Sequence, residues 1–378
     1  MVTGGLRRFF GAAAACLIFL VMLEGLGSTI SVASDLVARS RRNERTLSGP
    51  SVQYDPELGW VSVPNFLAKD YFAPGVPLQT NSRGFRASRE FSPAVPAGKL
   101  RVICSGDSFT FGEGVANNRT WCQTLESIDP RLETVNASES GYGIDQMYLW
   151  YRRSAQALDH DVQILAFIGD DFRRVGLSSI GGYNKPVLEF RQGKLVRETP
   201  EVPKSSWSSR WAALKPNPLR GFRSIAMLAD LADWMVARRK TGAENPPEQQ
   251  RQVVAKIIED LQTVNAAKRS VLVLLYLPTR ADSTGETEKG WHDWIRAEAA
   301  KRNLIFIDLL DDFRSLPITA QDGLFIWAGS HQNFAESAGH YDDQGNEYVA
   351  RRLYQKLMLA SQVEDKLLNL DARPVARP

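Results

Sequence analysis

Five short apolar runs, separated by sequence of helical periodicity, constrain the fold of this chain more than any other feature. The runs lie at 100–104, 132–136, 162–168, 270–277 and 304–309, and the helical patterns at 120–128, 144–158, 247–267, 287–302 and 343–361. Buried strands that alternate with helices are typical of a parallel sheet covered on both faces. The sequence therefore predicts an α/β fold with a doubly wound, mostly parallel sheet in three α/β/α layers.

The rest of the 378 residues is arranged around this predicted domain, which we place at 95–362. Residues 34–94 are predicted to form a linker and a strand-poor approach segment, and residues 363–378 a tail. The alternation breaks at about 172–246, a stretch too long for an ordinary connection. We expect an insertion there, with a hairpin turning at Arg191-Gln-Gly193 and a helical stretch at 208–239.

The amino terminus predicts membrane targeting. Arg7-Arg8 precedes an uncharged, mostly apolar stretch at 9–23, and a softer segment follows to Ala33. We expect residues 1–33 to be a signal anchor that holds an exported domain at the membrane; cleavage of a signal peptide after Ser31-Val32-Ala33 is the alternative. Arginines at 39, 41, 42 and 45 favour the opposite orientation by the positive-inside rule, so topology stays open.

Charge and cysteine usage exclude several kinds of partner. Lys and Arg number 46 against 43 Asp and Glu, and the basic residues are scattered, so no stripe for a nucleic-acid backbone is present. The four histidines show no metal-ligand spacing, and we expect neither a metal nor an organic cofactor. Cys104 and Cys122 could pair in an oxidising compartment, but we expect two buried thiols.

The first predicted strand runs directly into Gly106-Asp-Ser-Phe-Thr-Phe-Gly-Glu-Gly114, a glycine-punctuated turn that carries Ser108. A serine at the carboxyl end of a parallel strand projects into the crevice where open α/β sheets hold ligands. A Gly-Lys-Ser/Thr ending is missing, which argues against a nucleotide-binding loop. Ser108 is therefore a candidate nucleophile.

A second loop strengthens this hypothesis. Asn136-Ala-Ser-Glu-Ser-Gly-Tyr-Gly143 follows one predicted strand and precedes a helix. Together the two loops resemble the first and second blocks of the SGNH/GDSL hydrolases. The resemblance implies that Ser108 attacks an acyl carbonyl, while the backbone amides of Ser108 and Gly141 stabilise the oxyanion.

The third block departs from the family pattern. The run at 162–168 ends in Gly169-Asp170-Asp171, where the family has Gly-Asn-Asp. A carboxylate at position 170 would repel an oxyanion that an asparagine amide would stabilise. We expect Asp170 to be protonated, turned away from the oxyanion, or in contact with a different part of the substrate.

The base is expected at His340, which leads into the last predicted helix as the histidine block of the family does. His331 is the alternative. The family places an aspartate three residues before this histidine, but Ser337 stands there. Glu336 could replace it if the loop bulges; Asp322 is a weaker option, and a Ser-His dyad is a further one.

The resemblance implies a serine esterase that acts on an acyl ester, plausibly an acetyl ester of an envelope or exported polysaccharide. Two alternatives remain open at this stage. The same residues could transfer the acyl group to a sugar hydroxyl, because water and a sugar compete for the same acyl-enzyme. The substitution at Asp170 also leaves room for a carbohydrate-binding or assembly protein with weak catalysis.

Overall fold

The computed structural model describes residues 51–204, 247–283, 289–327, 330 and 334–370, together with Met22 and Gly25. The predicted signal anchor at 1–33, apart from those two positions, lies outside the described residues. So do the predicted helical stretch at 208–239 and the alternative base His331. Among the described residues, the search for a long apolar helix that could cross a membrane finds no candidate.

Thirteen strands are described. They are β1 Val52–Asp55, β2 Gly59–Ser62, β3 Leu67–Ala73, β4 Val76–Gln79, β5 Leu100–Ser105, β6 Leu132–Asn136, β7 Val162–Phe167, β8 Ser179–Ile180, β9 Tyr183–Asn184, β10 Leu188–Arg191, β11 Lys194–Arg197, β12 Val271–Tyr276 and β13 Ile305–Asp308.

The described helices are α1 Ser108–Phe111, α2 Trp121–Ile128, α3 Ile144–Trp150, α4 Gly169–Arg174, α5 Glu248–Ala267, α6 Arg280–Ser283, α7 Lys289–Lys301, α8 Leu310–Arg314, α9 Ile318–Asp322, α10 Asp343–Leu357 and α11 Ser361–Leu368. Short 3-10 turns span Asn117–Arg119 and Ala335–Ser337, and a π-helical turn spans Tyr151–Ala155.

The central sheet has five parallel strands in the order β13-β12-β7-β5-β6. Successive residues of these strands point to opposite faces, so each face has its own apolar core. Ile103 belongs to the core with α3, α5 and α7, whereas Val102 and Cys104 belong to the core with α2, α10 and α11. The predicted three-layer α/β/α arrangement is confirmed.

The strand order creates a crevice beside β5. The chain first adds β6 on one side of β5 and then returns to add β7 on the other side. At such a reversal the connections leave the carboxyl ends of the two central strands in opposite directions, and ligands bind in the gap between them. Ser108 follows β5 and Asp170 follows β7, so the strand order puts both at this gap.

Residues 51–94 do not form the strand-poor approach that the sequence predicts. They contain two antiparallel hairpins, β1–β2 and β3–β4. Leu58, Trp60 and Phe85 of this segment are buried in the same core as α3 and α5. The prediction was wrong because these strands are short and only β2 is buried throughout, so they are stabilised by docking onto the domain rather than by a long apolar run of their own.

Two helices and the end of the domain differ from the predictions by more than a residue or two. The helix expected at 144–158 changes to a π-helical turn after Trp150. The helix expected at 343–361 ends at Leu357, and α11 then packs Val363 and Leu367 into the core beyond the predicted domain end at 362.

The predicted hairpin around Arg191-Gln-Gly193 is confirmed, because β10 and β11 pair across Gln192 and Gly193, both with positive φ.

Cys104 and Cys122 form a disulfide, so the expectation of two free thiols was wrong. Cys104 lies on β5 and Cys122 in the first turn of α2, with their Cα atoms 6.3 Å apart. The capping of α2 by Thr120, which accepts a hydrogen bond from the Gln123 amide, fixes where this first turn begins. The pairing depends on the distance between the helix and the strand, and the spacing of the two cysteines along the sequence does not give this distance.

Candidate active site

Ser108 is the first residue of α1, a one-turn helix after β5. The Asp107 side chain caps this helix, since its Oδ1 accepts a hydrogen bond from the Phe109 amide at 2.9 Å. A side chain at Gly106 would collide with Thr110 and the Ala166 carbonyl, so only glycine allows the chain to turn this closely against β7. The turn holds Ser108 in a fixed position, buried except for 6% of its surface.

His340 reaches Ser108 from the opposite end of the domain sequence. Its Nε2 lies 2.8 Å from Ser108 Oγ, and its Nδ1 lies 3.2 Å from the Ser337 carbonyl oxygen. A carbonyl oxygen only accepts hydrogen bonds, so Nδ1 carries the proton and Nε2 is left as the acceptor for the serine hydroxyl. The Phe109 ring packs against the imidazole with the centroids 4.8 Å apart.

Neither predicted acid occupies the position that orients the histidine. Glu336 is exposed, and the nitrogen that it was expected to contact faces the Ser337 carbonyl instead. The 3-10 turn at Ala335–Ser337 directs this carbonyl toward His340, whose amide also donates to it. Asp322 receives a hydrogen bond from Arg280 at 2.8 Å. The geometry corresponds to the Ser-His dyad, oriented by a main-chain oxygen.

Gly141 lies on a loop held beside the serine turn. The Glu139 amide donates to the Gly106 carbonyl at 3.2 Å, and Trp60 Nε1 donates to the Ser140 carbonyl at 2.9 Å. Gly141 has a φ of +78°, a conformation that residues with a side chain rarely adopt. The loop is therefore fixed at the two residues directly before the predicted oxyanion donor.

Glu139 anchors this loop to the amino-terminal hairpin. Its carboxylate accepts a hydrogen bond from the Ser62 amide at 2.6 Å, and the side chain is almost completely buried. Burial raises the pKa of Glu139 to about 7, although hydrogen bonds from Ser62 and Ser140 oppose the shift. The attachment thus depends on a carboxyl group that titrates near neutrality.

Asp170 is turned toward two arginines. Its Oδ1 accepts a hydrogen bond from Arg173 Nε at 2.7 Å, and its Oδ2 accepts one from Arg174 Nε at 2.9 Å. Burial alone would raise the pKa of Asp170, but the two guanidinium groups outweigh it and hold the pKa below its ordinary value. Both carboxylate oxygens are thus occupied by guanidinium groups, an arrangement that favours the ionised form of Asp170 over the protonated form that was one of the three expectations.

Arg174 connects the three loops, and the sequence analysis missed it. Its Nη1 donates to Asp171 Oδ1 at 2.8 Å and to the Tyr142 carbonyl at 3.0 Å, and lies 3.6 Å from Asp107 Oδ2. With its bond to Asp170, this guanidinium contacts the serine turn, the glycine loop and the third loop. The i,i+3 and i,i+4 spacing of Arg174 from the two aspartates was the available signal.

The buried charges around Arg174 are balanced by it. Burial raises the pKa of Asp107 and the pKa of Asp171, and the charge of Asp107 raises the pKa of Asp171 further. The guanidinium of Arg174 opposes both shifts. Burial lowers the pKa of Arg174, but the three carboxylates outweigh it and raise the pKa above its ordinary value. Arg174 is therefore a permanent cation at the centre of the site.

Glu113 is a second residue that the sequence analysis missed. Its Oε2 lies 3.4 Å from His340 Nε2, the same nitrogen that contacts Ser108. It stands inside the serine block, between Gly112 and Gly114, so its position in the motif was the available signal. In the described part of the chain, no group of three or more His, Cys, Asp or Glu side chains is arranged to hold a metal ion.

Comparisons with known proteins give structural likenesses only. No protein-family model matches the sequence. A search of curated proteins finds no match either.

Solved structures similar to this chain include a member of the lipolytic protein G-D-S-L family from Veillonella parvula DSM 2008, with 15% identity, a TM-score of 0.36, and coverage of 68% of this chain and 97% of that one. An acetyl xylan esterase has 14% identity and a TM-score of 0.39, covering 68% and 98%. The lipase/acylhydrolase from Enterococcus faecalis has 11% identity and a TM-score of 0.37, covering 73% and 100%. These proteins are named as lipolytic enzymes and an esterase, but at such TM-scores the likenesses carry no argument about this chain's chemistry.

Proposed function

We propose that this chain is a serine esterase of the SGNH/GDSL type, with Ser108 as the nucleophile and His340 as the base. The observation that carries the proposal is the 2.8 Å separation between Ser108 Oγ and His340 Nε2, two residues 232 positions apart in the chain. A hydroxyl within hydrogen-bond reach of an unprotonated imidazole nitrogen is the arrangement that nucleophilic catalysis requires. The Ser337 carbonyl holds the imidazole in the tautomer that leaves this nitrogen available.

In the proposed reaction, Nε2 takes the proton of Ser108 as Oγ bonds to the acyl carbon. The carbonyl oxygen becomes an oxyanion, for which the amides of Ser108 and Gly141 are the proposed donors. The carbon–oxygen bond to the alcohol then breaks, and the leaving oxygen takes the proton from Nε2. Water, activated by the same imidazole, attacks the acyl-serine and releases the acid.

Asp170 contributes no donor in this scheme. Its two oxygens accept hydrogen bonds from arginines, so its negative charge is balanced by two guanidinium groups. The proposed oxyanion site therefore has two backbone donors, whereas the family pattern has these two and an asparagine side chain. Losing one side-chain donor typically reduces turnover by about 100- to 1000-fold, so we expect a slow esterase.

We also propose that the domain acts outside the cytoplasm, on an acetyl ester of an envelope or exported polysaccharide. The Cys104–Cys122 disulfide supports export, because disulfides persist in oxidising compartments. The signal-anchor pattern in residues 1–33 supports attachment to the membrane. The substrate class follows from the sequence resemblance together with this location.

Labelling with a fluorophosphonate probe tests the enzyme proposal. The purified full-length protein should be labelled, and Ser108→Ala should abolish labelling. His340→Ala should slow it strongly, because the hydroxyl loses its base. Ser361→Ala, at an exposed serine in the first turn of α11, is the matched control and should be labelled like the wild type. Equal labelling of the wild type and Ser108→Ala would contradict the proposal.

A further inference from the structure

Glu113 lies beside the catalytic histidine but has no role in the proposed reaction. Its carboxylate lies 3.4 Å from His340 Nε2, while Ser108 Oγ lies 2.8 Å from the same nitrogen. Its side chain is 12% exposed, close to the 15% of His340, so both groups are mostly enclosed and still reach the surface of the site. One imidazole nitrogen therefore faces both the nucleophile and a carboxylate.

The turn that carries Glu113 is fixed by its surroundings. The Glu113 amide donates to the Ser108 carbonyl at 3.1 Å. The completely buried Arg86 donates to the carbonyls of Phe111 and Gly112 at 2.7 and 2.8 Å, and also to that of Val115. Carbonyls on both sides of Glu113 are thus held by one guanidinium.

The far side of the turn packs against the histidine loop. Gly114 has a φ of +96°, and a Cβ there would collide with Ile326 and Ser337. Ile326 in turn pairs with the His340 segment, since its amide donates to the His340 carbonyl at 2.8 Å. Glu113 is therefore held in a defined position relative to the imidazole.

The leaving alcohol must come to this place. Its oxygen takes the proton from Nε2 and so must lie within about 3 Å of that nitrogen. Glu113 Oε2 lies 3.4 Å from the same nitrogen. The leaving oxygen is therefore at most roughly 6 Å from the carboxylate, from whichever direction the alcohol approaches. A hydroxyl on the neighbouring carbon of the alcohol can span this gap, and an ionised carboxylate accepts hydrogen bonds only.

Resting on the function proposed above, we propose that Glu113 is a specificity-determining residue that selects esters of polyols, accepting a hydrogen bond from a second hydroxyl of the leaving alcohol. Hydrogen bonds to ionised acceptors are roughly twice as strong as neutral ones, which favours such substrates over esters of simple alcohols. The same charge disfavours esters whose alcohol is an anion. The selected class is hydroxyl-rich and uncharged next to the ester, as the alcohol part of an O-acylated sugar is.

The test compares kcat/KM of the full-length wild type and Glu113→Gln on three acetate esters. Propyl acetate and glycerol 1-acetate share a primary three-carbon alcohol and differ in their additional hydroxyls, and O-acetylglycolate supplies an anionic alcohol. We expect Glu113→Gln to lower the glycerol acetate to propyl acetate ratio about tenfold, because a neutral acceptor replaces a charged one. We expect it to raise the rate on O-acetylglycolate severalfold. Glu364→Gln, at an exposed glutamate of α11, should change none of these rates.

Fluorophosphonate labelling is the second readout. Its fluoride leaving group carries no hydroxyl, so labelling of Glu113→Gln at Ser108 reports on the nucleophile and not on recognition of the alcohol, and it shows that the variant is folded. An equal loss on both neutral esters would mean that Glu113 acts only through the histidine and would overturn the specificity proposal alone. Unchanged rates on all three esters would overturn it too. A wild type that is not labelled would refute the enzyme proposal and this inference with it.

Discussion

Replacing Arg174 by methionine should destabilise the protein far more than the same change at the adjacent Arg173. The Arg174 side chain is 14% exposed and contacts the fully buried carboxylates of Asp107 and Asp171. Arg173 is 54% exposed, and Asp170 is its ion-pair partner. Removing one partner of a buried ion pair typically costs about 3–5 kcal/mol, whereas an exposed pair contributes about 1 kcal/mol or less.

Urea unfolding of the full-length protein, followed by the fluorescence of its tryptophans, measures both losses. A similar loss of unfolding free energy in Arg173→Met and Arg174→Met would refute the reasoning, because the buried carboxylates would then not depend on the cation. So would a loss below about 1 kcal/mol for Arg174→Met, which is the size expected of a surface pair.

A double-mutant cycle identifies the cause. Asp171 Oδ2 accepts a hydrogen bond from the Ile168 amide at 2.9 Å, and the side-chain oxygen of asparagine can still accept it. Combining Asp171→Asn with Arg174→Met removes the cation together with one buried charge. We expect the double variant to be at least about 1 kcal/mol more stable than the sum of the single losses predicts. Additive losses would show that Arg174 stabilises by packing rather than by charge.

Two further predictions concern stability. Because the folded pKa of Glu139 is about 7 against an ordinary 4.5, the folded state binds its proton more tightly. The contribution of Glu139 to the free energy of unfolding should therefore be fully present below pH 4.5 and fall by up to about 3 kcal/mol as the pH rises through 7. Glu139→Gln should reduce this pH dependence, which urea midpoints measured across that range would show. The Cys104–Cys122 disulfide joins residues 18 apart and should contribute about 3 kcal/mol. Reductant should lower the melting temperature of the wild type but not of the double Cys→Ala variant, and an equal effect on both would contradict the pairing.

The sheet could be predicted from the sequence because its strands are buried on both faces. Every residue of β5, β7 and β12 is buried, so each strand appears as a mostly apolar run, interrupted by Arg101 in β5 and Gln163 in β7. The ends of the three strands differ from the prediction by at most one residue. The hairpins β1–β2 and β3–β4 could not be predicted this way. Only β2 is buried throughout, and it is four residues long, whereas β1, β3 and β4 leave most positions partly or fully exposed. Contacts such as Trp60 with Ser140 also depend on a loop 80 positions away.

The site was only partly predictable for a related reason. Ser108, Gly141 and His340 stand in blocks whose local sequence resembles a known pattern. The spacing of Arg174 from Asp170 and Asp171 was a local signal, but its contacts with Asp107 and Tyr142, like the approach of Glu113 to His340, depend on where separate loops converge. The orientation of His340 was also missed, because it comes from the Ser337 main-chain carbonyl, and any residue type supplies a carbonyl.

The substitution at Asp170 is understandable once Arg174 is considered with it. A carboxylate beside the crevice would weaken an oxyanion site if its charge faced the reacting oxygen. Here α4 places arginines three and four positions later on the same helical face, and both oxygens of Asp170 are bonded to them. The same guanidinium of Arg174 also balances Asp107 and Asp171, so the positive charge that accommodates Asp170 also holds the serine turn. On this reasoning Asp170 and Arg174 form one electrostatic unit, and the effect of either charge depends on the other.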